Sequence, residues 1–346
     1  MKHTRRALLR HLAVTGAALK FAPAFAAPSH DTDWDWLLGS WDVRHERLRK
    51  RLANNHDWDE FDGKSAFWKT LGGLANCDEN LLHIPSGTYR GLSVRSFDPA
   101  TSKWSIWWLD GRNAGKLDPP VVGGFQGDEG EFYGPDVFDG KPITVRFRWH
   151  EVHSKRPHWD QAFSTDGGKS WEINWRNYFT RTSVQTVPIP PADPAPQAAS
   201  DWAFIVGHWR VRNRKRTAQG WQEFESDFRN WSVLGGLGNI GDNLFHAPGG
   251  DYRGMSVRAY DAQQQVWRSW WLDGRDPTRI DEPLTGTFTD GVGTFISEYE
   301  SEGRRMLARS QWSRTDSPTP RWEQALSSDG GRNWDTNWTA DFERAR

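Results

Sequence analysis

From Asp33 onward, apolar and polar positions alternate over short stretches, and each stretch ends at a cluster of Gly, Asp, Asn or Pro. Apolar residues do not recur at helical spacing over any long run. The chain therefore reads as strands joined by tight turns. The pattern predicts strands near 40–48, 61–69, 74–83, 88–97, 103–110, 121–126, 130–134, 143–152, 158–164 and 171–180.

The pattern then runs a second time. Adding 163 maps Trp58–Phe179 onto Trp221–Phe342 without a gap, and 50 of these 122 positions are identical. The starts align at an offset of 168, Asp33-Trp34 with Asp201-Trp202 and Gly39-x-Trp41 with Gly207-x-Trp209, so a five-residue difference lies in the loop before Trp58. Sequential strands linked by tight turns predict an all-β chain of two tandem up-and-down antiparallel barrels, about ten strands each, a closure that leaves no sheet edge exposed. The expected divisions are a first repeat over 33–182, a Pro-rich linker over 183–200 and a second repeat over 201–346. Pro188 to Pro196 make that linker extended and semi-rigid.

The repeats also sort the composition. Of 23 tryptophans, 22 form pairs related by the repeat, and Trp36 alone faces a different residue, Phe204. Tryptophans kept while most positions diverge are core residues, stacking surfaces for a flat ligand, or both. The single cysteine, Cys77, excludes an internal disulfide, and its counterpart Ile240 makes it a buried apolar residue rather than a nucleophile.

Residues 1–27 read as a signal peptide of twin-arginine type. Thr4-Arg5-Arg6-Ala7-Leu8-Leu9-Arg10 precedes an apolar run to Leu19, and Ala24-Phe25-Ala26 has the form of a cleavage site. The expected location is the periplasm, or outside the cell. Loss of residues 1–26 removes five basic residues and no acid, leaving 39 Lys and Arg against 45 Asp and Glu. That balance argues against a nucleic-acid partner and against a polybasic membrane patch. No apolar stretch is long enough to span a bilayer after cleavage.

Leu37-Leu38-Gly39-x-Trp41 and Ile205-Val206-Gly207-x-Trp209 resemble the Gly-x-Trp start of the first strand in lipocalin-like (calycin) barrels. Each repeat as a whole also resembles a group of uncharacterised, Trp-rich exported bacterial domains, through Leu-Gly-Gly-Leu (71–74, 234–237), Tyr-Arg-Gly (89–91, 252–254) and Trp-Trp-Leu-Asp-Gly-Arg (107–112, 270–275). The calycin resemblance implies a small, partly apolar ligand in the barrel. It also admits haem, but the glycine-rich first loop and late histidine of haem-binding members are missing, so no cofactor is expected. Tandem calycin domains occur in carotenoid-hydratase-like enzymes as well. Ser164-x-Asp166-Gly167-Gly168-x-x-Trp171, repeated at Ser327–Trp334, resembles the Asp-box hairpin of sialidases; two copies so far apart mark a hairpin and no sialidase.

Familiar catalytic signatures are absent. His150 and His153 are three apart, so on a strand they face opposite sides and do not make a metal site. The charged groups kept in both repeats carry the remaining chemistry. Glu79 and His83, matched by Asp242 and His246, share a strand face and form a candidate acid–base pair, or a strand-end network serving turn amides. Asp110 and Asp273 follow the double tryptophans as further catalytic candidates, or cap an Asp-Gly-Arg turn. Arg95 and Arg258 alternate with Ser93 and Ser256 opposite an apolar face, Leu92 and Val94; the arginine face is expected to be the wet one, unless the barrel interior is polar and the arginine binds a carboxylate. Ligand-binding candidates are Arg95, Trp107, Trp108, Arg112, Arg258, Trp270, Trp271 and Arg275. Small-molecule binding is the leading expectation. The alternatives are a cofactor-free isomerase, hydratase or lyase, and a carbohydrate-binding module. Docking of the two repeats on each other is left open.

Overall fold

The computed structural model describes residues 32–191, 197–301 and 303–345. The expected leader over 1–27 and linker residues 192–196 lie outside them. In the first repeat ten strands follow one another: β1 (Gly39–Leu48), β2 (Trp58–Thr70), β3 (Ala75–Ile84), β4 (Gly87–Asp98), β5 (Lys103–Asp110), β6 (Val121–Gln126), β7 (Glu129–Phe138), β8 (Lys141–His150), β9 (His158–Ser164) and β10 (Glu172–Ser183). The second repeat has β11 (Gly207–Thr217), β12 (Gly220–Val233), β13 (Gly238–Ala247), β14 (Gly250–Asp261), β15 (Val266–Asp273), β16 (Leu284–Thr289), β17 (Val292–Ser301), β18 (Arg304–Ser313), β19 (Arg321–Ser327) and β20 (Asp335–Arg344). Each strand pairs antiparallel with the next, and β1–β10 and β11–β20 close the two barrels.

The observed strands match the expected ones, with one informative exception. β7 runs to Phe138, past Gly134-Pro135. Pro135 pairs with Thr144 of β8, but β6 pairs only as far as Val122↔Tyr133, so no ladder bond is lost on that side.

One end of each barrel is plugged from its own N-terminal turn. Trp34 is buried against Phe125 (4.7 Å between ring centroids), Phe132 (5.7 Å) and Trp149 (5.8 Å). Trp104 Nε1 donates to Asp33 and Trp41 Nε1 to the Leu37 carbonyl, which pins the turn beneath the strands. Trp202, Trp267 and Trp209 repeat this construction. The paired tryptophans here are core; the indole N–H groups of Trp41, Trp104, Trp209 and Trp267 are satisfied by the turn they anchor, whereas those of Trp34 and Trp202 are buried without a partner. The Asp166 and Asp329 turns form the same hairpin in both repeats: each aspartate accepts from the side chain and the amide of the fourth residue after it, Ser170 or Asn333, and from the amide of the third, which holds its carboxyl well below the usual range.

The barrels dock side by side. The outward apolar residues Ala75, Cys77, Leu92, Val94, Trp107 and Leu109 form one cluster with Ile240, Met255, Val257, Trp270 and Leu272 of the second repeat. Leu92, Val94, Ile240 and Met255 have no exposed surface. Cys77 Sγ lies 3.7 Å from Met255 Sδ, and burial pushes its thiol up. Matching positions face each other across the contact, Trp68 with Trp231 among them (6.1 Å), so the two surfaces are related as in an isologous dimer.

Candidate functional site: the mouth and interior of the first barrel

Strand alternation sends one face of every strand inward. Along β4 the inward residues are Tyr89, Gly91, Ser93 and Arg95, and along β5 they include Ile106, Trp108 and Asp110. Gly91 is required there: a Cβ would run into the Trp108 ring, and at Gly254 into the Trp271 ring. The Tyr-Arg-Gly motif thus makes room for an inward tryptophan.

The interior of the first barrel encloses a cavity of about 230 Å³. Trp108, Trp149, Trp159 and Trp175 line it together with Ile106, Val121, Val145, Phe147, Phe163 and Phe179. Polar and charged groups line it as well, and most of those inside are hydrogen-bonded or paired. His45 Nδ1 lies 2.6 Å from Asn177 Oδ1, and its ring stacks on Phe61 at 4.8 Å. Burial lowers the His45 pKa to about 4, so the imidazole is neutral. Gln161 donates to Asn174 at 2.7 Å. At the deep end Asp78 pairs with Arg95, and Ser93 Oγ and Asn80 Nδ2 also donate to Asp78. Arg95 further reaches Asn76 Oδ1 at 3.0 Å and lies over Trp34 at 4.7 Å.

The open end differs in character. Arg112 forks onto Asp110 (Nε–Oδ1 2.9 Å, Nη2–Oδ2 2.5 Å) and lies 3.7 Å over Tyr89. Arg47 and Arg51 border the same opening and continue into a wider surface groove with Arg49, Lys50 and Pro85. Both are half-buried. Arg47 packs on Trp175 (4.6 Å) and Arg51 near Phe163 (5.6 Å); among the described residues neither has a carboxylate at ion-pair distance. Burial lowers both pKa values, that of Arg51 to about 10, and the Arg47 and Arg51 charges work against each other. The mouth therefore holds two arginines that lack a carboxylate at ion-pair distance among the described residues, over an aromatic interior, with Asp110, Asp118 and Asp136 lining the same opening.

Several expected site residues lie elsewhere. Of each double tryptophan only the second member faces inward; Trp107 and Trp270 belong to the contact between barrels. Arg95 is not on a wet face: it is 4% exposed inside the barrel, and its apolar neighbours Leu92 and Val94 are covered by the other repeat. Its carboxylate partner is internal. Glu79 and His83 do not assemble. Glu79 is buried between the barrels, paired with Arg90 (2.8 Å), and accepts the Leu234 and Gly235 amides, whereas His83 is exposed beside Thr88. Asp242 reciprocates by accepting the Leu71 amide at 3.2 Å, and His246 sits in solvent between Asp227 and Asp251. The Leu-Gly-Gly-Leu turns expose those amides because Leu71 and Leu234 take positive φ (48° and 55°). Asp110 and Asp273 each cap the amide two residues on and bind Arg112 or Arg275, the Asp-Gly-Arg turn arrangement. His150 bridges Glu129 and Asp160 at 2.7 Å each, while His153 lies by Asp128.

Sequence reading missed His45, Arg47, Arg51 and Asp78. Arg47 carried a signal, since Lys215 keeps a cation at the matching position. Asp78 carried the opposite signal, since the matching residue is Gly241.

No family model matches the chain, and no curated protein matches it. Solved structures with similarity include a protein of unknown function of the DUF3598 family from Nostoc punctiforme, with 10% identity over 92% of this chain and all of that one and a TM-score of 0.24. Another is a variant of transferrin binding protein B from Haemophilus parasuis, with 7% identity over 89% of this chain and 76% of that one and a TM-score of 0.18. Likenesses this distant carry no argument about activity.

Proposed function

We propose that this is an exported small-molecule-binding protein whose first barrel holds a partly aromatic or apolar ligand carrying a negative charge. The observation that supports it is the pairing of an aromatic cavity with two half-buried arginines at its opening that no carboxylate meets at ion-pair distance among the described residues. Enclosed space lined by apolar side chains with a few placed polar groups is the usual form of a ligand site. Desolvated guanidinium groups without a counter-ion favour an incoming anion. The cavity is small, which suits one or two fused rings. Trp108 and Trp175 line it and supply indole surface for such a ligand.

The catalytic alternative is less favoured, because Glu79 and His83 lie outside the cavity, one of them sealed between barrels, and Asp110, which does line it, is engaged by Arg112. A glycan-binding surface would need exposed tryptophans, and among the described residues only Trp221 is exposed, at 40%.

Naphthoate and its neutral analogue naphthylmethanol test the reading by calorimetry. Naphthoate is expected to bind more tightly by about tenfold, the weight of one charge-assisted contact. Arg47→Gln with Arg51→Gln should abolish that preference, and Trp108→Ala should weaken both compounds. Equal binding of the two compounds to the unaltered chain would sink the proposal.

A further inference from the structure

The second barrel departs from the first at its deep end. Position for position, Arg258, Ser256 and Asn243 correspond to Arg95, Ser93 and Asn80, the three groups that hold the Asp78 carboxylate in the first barrel. All three donors are retained, but the carboxylate is gone, because Gly241 stands where Asp78 would be. Gly241 and Ser256 are direct cross-strand partners, as are Asn239 and Arg258.

The consequence is a buried cation with no carboxylate beside it and with Ser256 Oγ and Asn239 Nδ2 as spare donors; its Nε is unpartnered, as that of Arg95 is in the first barrel. Arg258 is 7% exposed. Its Nη1 donates to Asn239 Oδ1 at 2.8 Å, and Asn230 Nδ2 donates to the same oxygen at 2.9 Å. Arg258 Nε, Asn239 Nδ2 and Ser256 Oγ are buried with no hydrogen-bond partner. Asn243 makes only a long contact to the Gly254 carbonyl, 3.4 Å. The remaining neighbours of Arg258 are aromatic: Trp202 at 4.4 Å and Trp312 at 5.7 Å. Burial lowers its pKa to about 9 with no acid offsetting it. A buried charge without a partner is costly, and ring faces recover only part of that cost.

We infer that the second barrel binds a small anion at Arg258, with Ser256 and Asn239 as the neutral donors; the space beside Gly241 that corresponds to the Asp78 side chain is itself taken by the Phe228 ring. The two repeats then differ in kind. The first supplies its deep carboxylate from its own chain and receives a charge at the mouth; the second receives its anion at the base. This inference is independent of the ligand proposed for the first barrel.

The test uses the full chain carrying Arg47→Gln and Arg51→Gln, which removes the arginines of the first mouth. Sodium formate and sodium chloride are titrated against a bulky sulfonate salt at equal ionic strength, and the melting temperature is followed. The expected result is a saturable rise with formate that Arg258→Met weakens roughly tenfold or more. A larger effect of formate than of chloride assigns the site to carboxylates; equal effects assign it to small anions at large. Phe228→Ser with Gly241→Asp transplants the first barrel's Ser65 and Asp78, since a Cβ at Gly241 would otherwise meet the Phe228 ring at 2.6 Å. That chain should no longer respond to either salt. Should the double substitution not fold, Asp78→Gly in the first barrel is expected to create a new formate response. No rise with either anion, or a rise that persists in Arg258→Met, would overturn the inference and leave the guanidinium held by Asn239, Trp202 and Trp312.

Discussion

Removing Asp78 should damage the first barrel far more than removing Asp78 and Arg95 together. Their side chains are 2% and 5% exposed, so water cannot take over the role of either partner. Taking away one member of a buried pair leaves the other charged and uncompensated, at a cost of about 3–5 kcal/mol. For a barrel of this size each kcal/mol is worth roughly 2–4 °C, so Asp78→Ala and Arg95→Met should each lower the melting temperature by roughly 6–20 °C. Replacing a buried pair by apolar groups is often neutral, so the double variant should recover most of the loss, a coupling well above the few tenths of a kcal/mol seen for independent sites. Circular dichroism melts of the four chains close the cycle. Two small and additive losses would refute the reasoning, because they would mean that the pair is solvated in solution.

Further expectations follow from particular contacts. Burial raises the Asp242 pKa to about 6, despite Arg253 and the Leu71 amide. Because the folded value lies above the unfolded one, the ionised group costs stability above that pH, and the cost disappears as pH falls through about 6 to 4. Asp242→Asn should therefore remove up to roughly 3 kcal/mol of pH dependence in that window, read from urea unfolding at several pH values; an unchanged pH profile would contradict it. Gly91→Ala should displace the Trp108 indole, lowering stability by about 1–3 kcal/mol and weakening naphthoate binding together; an unaffected affinity would show that Trp108 takes no part in binding. Leu92→Lys places a charge in the fully buried contact between barrels and should let the repeats unfold in separate transitions by calorimetry, where the parent chain is expected to show one.

The barrel could be read from the chain because alternation, turn residues and the internal repeat all say the same thing, and the two copies check each other. The docking of the barrels could not, and most misplaced site residues trace to it. Leu92 and Val94 look like the core side of β4 and Arg95 like the solvent side, which holds for a lone barrel with an apolar interior. Here both faces are buried, one by the strands across the cavity and one by the second repeat. Glu79 and Asp242 were visible as retained acids, but their purpose depends on a turn in the other copy, far away in sequence. Of the arginines of the mouth, Arg51 escaped notice because it lies in the loop where the copies differ in length and has no counterpart to mark it.

The central claim is that the first barrel carries an anionic small molecule held by Arg47 and Arg51. Native mass spectrometry of the chain isolated from its own source, set against its denatured mass, tests it most directly. The account predicts a discrete added mass belonging to an organic anion, absent when Arg47→Gln and Arg51→Gln are introduced. A bare chain mass, or an added mass that those substitutions leave in place, would contradict it.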